Sequence, residues 1–312
     1  MKYLACLLFV CTAIFLPIIR QGNNLPWIVP NAPRDGHTSA VSALQLAINE
    51  AEADNNTIVL APGAYYLDSP LQFTSPINIL GCGVQCSKFV TTLNQTILEF
   101  NNVQAWPLTH GGTISEVGLD CNWQAVGTVA RQGTGIALIN TQAMTFRDVG
   151  IHTCNQSITL AVANNSWDER NIFDRITLDN FTSGIEFDGP SVIYGHNWFE
   201  NIEFNTYLEG DALVRFSGDA TAAFNMTLTA NGNMNAGCMF DLTNGNALLG
   251  DNDIRIMVEN GPTVTAFCGG TSSGVTGWWG NTSVVQAHGF IGMSPGNGLL
   301  QSGPFNVFNL IP

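Results

Sequence analysis

A hydrophobic phrase returns about once every 26 residues through the middle of this 312-residue chain. It reads apolar, any two, apolar, any one, apolar. Clear copies stand at Ile114/Val117/Leu119, Phe146/Val149/Ile151, Phe173/Ile176/Leu178 and Phe199/Ile202/Phe204. Weaker ones are Ala223/Met226/Leu228 and a copy around Ile254/Ile256 with Asp251 in first place. A lone unit of this length cannot bury its apolar face, whereas stacked units share a continuous core.

A second set of short alternating segments runs between the copies: Ile158–Leu160, Ile185–Phe187, Ala212–Phe216, Cys238–Leu242 and Val264–Phe267. Each repeat therefore supplies at least two period-two strands joined by Asn, Gly, Thr and Ser, with no stretch periodic enough for a helix between them. The fold this predicts is all-β: a single-stranded right-handed parallel β-helix of about 8–10 coils. Asn122, Asn155, Asn180, Asn205, Asn231 and Asn260 each follow a phrase by one to four residues and read as an asparagine ladder at a tight corner.

Lys2 precedes an apolar run from Tyr3 to Ile19, short for a membrane span, so residues 1–22 read as a signal peptide or N-terminal hydrophobic anchor. Residues 23–312 then form the β-helix domain, and the protein is expected to be secreted or at a cell surface. Ten basic against 24 acidic residues give a net charge of −14. That charge disfavours nucleic acid and anionic membrane, so no nucleic-acid partner is expected, and it makes a neutral polysaccharide easier to bind than an anionic one.

Six cysteines lie beyond the leader, an even number that suits disulfides in an exported chain. Cys121 and Cys154 follow their phrases at nearly one offset, so stacking places them one coil apart, and Cys82 and Cys86 can close one short loop. Buried free thiols are the alternative for all six. Sequons begin at Asn55, Asn94, Asn155, Asn164, Asn180, Asn225 and Asn281, so the chain can be a glycoprotein if its source glycosylates.

Between Asp35 and Gly83 the chain resembles the opening of the pectate-lyase superfamily. The residues are Asp35-Gly36-His37-Thr38, Ala43-Leu44-Gln45-Leu46-Ala47-Ile48, Thr57 to Tyr66 with Pro62-Gly63, Ser69-Pro70-Leu71, and Ile77 to Gly83. The resemblance implies a pectin-lyase-like right-handed parallel β-helix, opening with a capping helix (about 35–55), a first strand, a Pro-Gly turn and the second coil. The residues agree by themselves: Val41, Leu44, Ala47 and Ile48 make a helical apolar stripe, and Ser39, Thr38 or Asp35 can cap its start.

Alternation decides which side chains leave the coil. One outward file is Gly118, Gly150, Thr177, Glu203, Thr227 and Arg255; its neighbour is Asp120, His152, Asp179, Asn205, Thr229 and Met257. Asp120, His152, Asp179 and Glu203 therefore make a polar strip, the catalytic candidates, because glycoside hydrolysis needs two carboxyl groups at a set distance. A solvated face explains the same charges without chemistry.

The second strands add Glu186, Arg215 and Asp241, either a substrate-binding strip or an inter-coil salt-bridge ladder. Trp278 and Trp279 are candidate sugar-stacking rings, with filling beneath a loop as the alternative. A lyase would imply Ca²⁺; no other metal or cofactor is implied.

No Asp, Glu, Lys or Arg follows Glu259, so residues 260–312 are expected to be covered, by wrapping or by self-association. Two functional readings stay open. One is an exported protein that binds or cleaves extracellular polysaccharide, as a hydrolase or lyase if catalytic. The other is a non-catalytic structural subunit of a surface filament, coat or virion, or a glycan-binding adhesin.

Overall fold

The computed structural model describes residues 27–103, 111–123, 130–161, 167–189, 192–206, 208, 211–217, 221–224, 226–234, 236–241, 247–250, 253–260, 263–268, 284–288 and 307–311. The leader (1–22), Trp278, Trp279, Asn164, Asn225 and Asn281 lie outside the described residues, as does most of 260–312.

Almost all regular structure is parallel strand, and it winds as a β-helix. The first sheet has fourteen strands, eleven of them in one file from Trp27–Ile28 to Val307–Ile311. The ten steps along that file agree with the expected 8–10 coils. A second sheet of eight strands runs from Leu71–Phe73 to Thr263–Cys268, and a third of four holds Trp167–Glu169, Val192–Gly195, Thr221–Phe224 and Ala247–Gly250. Coils in this region therefore carry three strands.

The repeated phrase is the inward row. Ile114, Phe146, Phe173 and Phe199 stand in register, as do Val117, Val149 and Ile176, and all are buried. The rings stack: Phe146 to Phe173 and Phe173 to Phe199 both lie 4.9 Å apart at 9° and 4°. Each such buried ring is worth about 1.5–3 kcal/mol in apolar transfer alone.

The "any two" gap in the phrase has a physical cause. Glu116, Asp148, Arg175 and Asn201, the second gap residue in each copy, take φ of 53–56° and bend each long strand. In the next coil this residue is absent. Phe199 pairs with Leu228 and Ile202 with Ala230, so the strand Thr227–Met234 alternates regularly without a corner. The fifth copy is therefore Leu228/Ala230/Gly232, not Ala223/Met226/Leu228. The sixth is Ile254/Ile256/Val258. Downstream of Glu203 and Asn205 the outward files continue through Asn231 and Asn233, replacing Thr227 and Thr229, and then through Met257 and Asn260, replacing Arg255 and Met257.

The asparagine ladder is also corrected. Asn205 stacks on Asp179 and Asn231 on Glu203, so the six expected amides do not share one column. Buried amide stacking occurs at the corner before the strands: Asn171 Nδ2 donates to Asn197 Oδ1 at 3.2 Å, and Asn171 Oδ1 accepts from Met144 N at 3.1 Å. A buried corner demands that its backbone groups be paired, and these amides do so.

The helix Val41–Asp54 buries Leu44, Ala47, Ile48 and Ala51. Its N-cap is Ala40, which has no polar side chain to cap with; Ser39 Oγ accepts from Val41 N at 3.4 Å, and Asp35 is spent on its own turn. There it accepts from Thr38 N (2.7 Å), the Thr38 hydroxyl (2.7 Å) and His37 N (2.8 Å), and these bonds, that of the Thr38 backbone first, hold its carboxyl down at about 2. The helix covers the open edge of the second sheet: Gln45 Nε2 donates to Gln72 O at 2.9 Å, and Gln45 Oε1 accepts from Gln72 N at 3.0 Å. One side chain thus supplies what a further strand would have supplied.

Candidate functional site

The strip expected on the outer face of the first sheet exists. Asp120, His152, Asp179, Asn205 and Asn233 stand in one register file, and Gly118, Gly150, Thr177, Glu203 and Asn231 in the file beside it. Strand alternation turns both files outward while Leu119, Ile151 and Leu178 between them go inward and are fully buried.

His152 Nδ1 lies 3.6 Å from Asp179 Oδ2, with the two side chains 22% and 38% exposed. His152 Nε2 and Asp179 Oδ1 are buried and have no hydrogen-bond partner. Asp120 instead accepts from the Thr153 hydroxyl at 2.6 Å and from Asn122 N at 3.1 Å, which fixes it as a corner residue. Glu203 is exposed, on the strand next to that of Asp179 and two residues out of register. A lateral spacing of about 4.8 Å and a rise of about 3.3 Å per residue put their backbone positions roughly 8 Å apart.

One end of the strip is closed. The strands Asn78–Leu80 and Ser87–Val90 both pair with Thr113–Asp120, and the loop between them, pinned by the Cys82–Cys86 disulfide, stands out from the sheet. Val84 O is 2.3 Å from where a Gly118 Cβ would be, and Val84 Cγ1 is 2.3 Å from the same point on Gly150. Lys88 Nζ sits 5.6 Å from the centre of the Trp123 ring at this end.

The second candidate strip stacks as expected, Glu186 on Arg215 and Arg215 on Asp241. It is more enclosed than a substrate strip should be. Glu186 is 5% exposed and accepts from the Ser183 (2.6 Å) and Ser217 (2.8 Å) hydroxyls, while Arg215 Nε donates to Asp241 at 2.9 Å. The ladder reading describes it better. Arg147, Asp174, Arg175 and Asp148 form the ion pairs of the bend, and Arg175 holds the Asp148 carboxyl below its ordinary value.

Both expected disulfides are formed. Cys121 and Cys154 have Cα atoms 5.0 Å apart and Cys82 and Cys86 5.4 Å, and Cys238 is disulfide-bonded as well. Of the described sequons, Asn55 and Asn94 are exposed. Asn180 is buried and its Oδ1 accepts from Arg131 at 2.9 Å, so it is no glycan acceptor in the folded chain.

Two charged features escaped the sequence reading. Arg131 and Asp211 form a buried bidentate pair, and Asp168 is a fully buried carboxyl whose Oδ2 has no partner. Burial pushes the Asp168 carboxyl well above its ordinary value, opposed by the hydrogen bond from Thr141 N.

No protein-family model matches the chain, and no curated protein does. Among solved structures it is similar to the ORF18 protein of Geobacillus virus E2 (14% identity, TM-score 0.43, 86% of this chain and 61% of that one). It is also similar to a GH87 alpha-1,3-glucanase catalytic domain in complex with tetrasaccharides (13%, 0.40, 94% and 70%). A third is a tailspike protein of E. coli bacteriophage HK620 in complex with a pentasaccharide (12%, 0.41, 89% and 64%). The fold assignment rests on the strand topology, and the chain spans less than two thirds of the virus E2 and tailspike proteins.

Proposed function

We propose that this is an exported β-helix protein, related to the pectate-lyase superfamily, that binds extracellular polysaccharide along the outer strip of its first sheet and hydrolyses it there. The observation that carries this reading is the Asp179–Glu203 arrangement: two carboxylate residues on one outer face, in neighbouring coils and at least partly open to solvent, the pair that acid–base glycoside hydrolysis needs. One carboxyl donates a proton to the glycosidic oxygen as its bond to the anomeric carbon breaks. The other takes a proton from the water that attacks that carbon from the opposite face. His152 acts through Asp179, as a positioning residue, since its Nε2 is enclosed.

The chain's charge of −14 favours a neutral glycan, whose hydroxyls suit the carboxylates and amides of the strip. Among the described residues no group of three or more His, Cys, Asp or Glu side chains is placed to hold a metal. No step here passes through a metal.

The uncharged stretch after Glu259 favours a second reading, in which this chain is a subunit of a surface assembly such as a filament, coat or virion, self-associating through residues 260–312. The two readings are compatible on one chain. Incubating the protein with a panel of neutral and anionic polysaccharides, and reading new reducing ends and the absorbance of unsaturated products, separates them. Hydrolysis of a neutral glycan supports the first; silence across the panel together with a large oligomer leaves the second alone.

A further inference from the structure

The closed end of the strip bears on how a glycan chain can lie in it. In the file Gly118, Gly150, Thr177, Glu203, Asn231 the two glycines fall in the two coils under the Cys82–Cys86 loop, and side chains appear beyond it. Glycine is required there because backbone and side-chain atoms of Val84 occupy the space a Cβ would take, 2.3 Å from each point. The same Gly150 point is 3.0 Å from His152 Nε2, so Val84 and the imidazole edge flank one spot and leave no room between them for a sugar.

The loop is built to stay in place. Besides its disulfide, Gly81 N donates to Ser115 O at 2.9 Å and Gly83 N to Glu116 O at 2.9 Å, tying it to the next coil. Within it, Cys86 N and Ser87 N both donate to Gly83 O, at 2.8 and 3.0 Å. Beside it, the Lys88 stem passes 3.2 Å from the Gly118 point and its Nζ reaches the Trp123 ring, closing the adjoining width. In the other direction the strip continues past Asp179 and Glu203 through Asn205, Asn231 and Asn233.

Granting the glycan reading above, on which this step rests, we propose that the Cys82–Cys86 loop is a wall that makes the protein recognise a chain end. One terminus of a neutral glycan abuts Val84 and His152, and the rest of the chain runs toward Asn233. The cleavage point beside Asp179 and Glu203 then falls within a few sugars of that terminus, so the products are short and uniform.

The test is calorimetric titration of the full chain, with Glu203→Gln wherever the parent cleaves the glycan, against cellulose-, laminarin- and amylose-derived oligosaccharides fractionated by length. A wall predicts one protein per glycan chain whatever its length. A bulky fluorescent tag on one terminus should abolish binding while the same tag on the other leaves it unchanged. Protein-to-chain ratios that climb with length, or equal binding of both tagged forms, overturn the wall while leaving the glycan reading intact. No binding to any of these glycans overturns both. The Cys82→Ser/Cys86→Ser variant supplies a second readout: with the loop unpinned, longer chains should take more than one protein, and an unchanged ratio in a folded variant counts against the wall.

Discussion

Arg131 and Asp211, 80 residues apart, form a two-pronged ion pair whose side chains are 5% and 2% exposed. Arg131 also reaches Asn180 Oδ1, and Asp211 also accepts from the Thr206 hydroxyl and from Leu208 N at 3.0 Å. Arg131 precedes the second-sheet strand Thr134–Ile139 and Asp211 the strand Ala212–Phe216, three strands further along the same sheet. The pair therefore staples several coils at one corner. Removing one partner leaves the other charged and buried, which costs about 3–5 kcal/mol. Arg131→Ala should lower the unfolding free energy read from urea titration by an amount of that size, whereas Arg147→Ala, at a half-exposed pair, should barely move it.

Asp168 sets an expected pH dependence. Its folded-state value is raised, so the folded chain holds the proton to higher pH than the unfolded chain does. Its contribution to stability is fully present below the ordinary value of 3.8 and is lost as pH rises toward the folded-state value. Asp168→Asn keeps an acceptor for Thr141 N and removes the charge. It should be more stable than the parent at neutral pH, with the gap closing in acid, as read by thermal melts across pH.

The Cys121–Cys154 bond joins neighbouring coils across 33 residues of chain. Closing a loop of that length in the unfolded state is worth about 2–4 kcal/mol. A Cys121→Ala/Cys154→Ala variant should melt at lower temperature than the parent without reductant, and reductant should bring the parent toward the variant.

Gln45 is expected to protect the sheet edge. Gln45→Ala leaves the N–H and C=O of Gln72 without their side-chain partner, a loss of about 1 kcal/mol, and uncovers an edge strand. Light scattering during storage should show faster association than for the parent.

The fold was legible because the phrase beginning Phe146, Phe173 and Phe199 spaces its apolar residues at an interval only stacked coils use. The Cys121/Cys154 neighbourhood followed from the same register. The register failed after Phe204 because the bend residue drops out: a pattern requiring two residues between apolar positions matched Ala223/Met226 when the chain had already become a plain alternating strand at Leu228 and Ala230. The strip of Asp120, His152, Asp179 and Glu203 was legible as a column. The enclosure of His152 Nε2 was not, since it depends on where a six-residue loop folds back. Gly118 and Gly150, two glycines inside strands, carried that signal, as interior glycines mark close approach. Arg131–Asp211 was invisible because nothing local relates two corners three coils apart.

On the proposed reading, Asp179 and Glu203 act together on a neutral glycan. The most direct measurement is the hydrolysis rate of Asp179→Asn and Glu203→Gln beside the parent, on the polysaccharide that the panel shows to be cleaved, with melting temperatures taken on the same samples. Each substitution should cut the rate by about 10²–10⁴, the usual worth of a positioned acid or base, while the melting temperature stays nearly unchanged because Glu203 is exposed and Asp179 partly so. Parental rates in either folded variant would contradict the account.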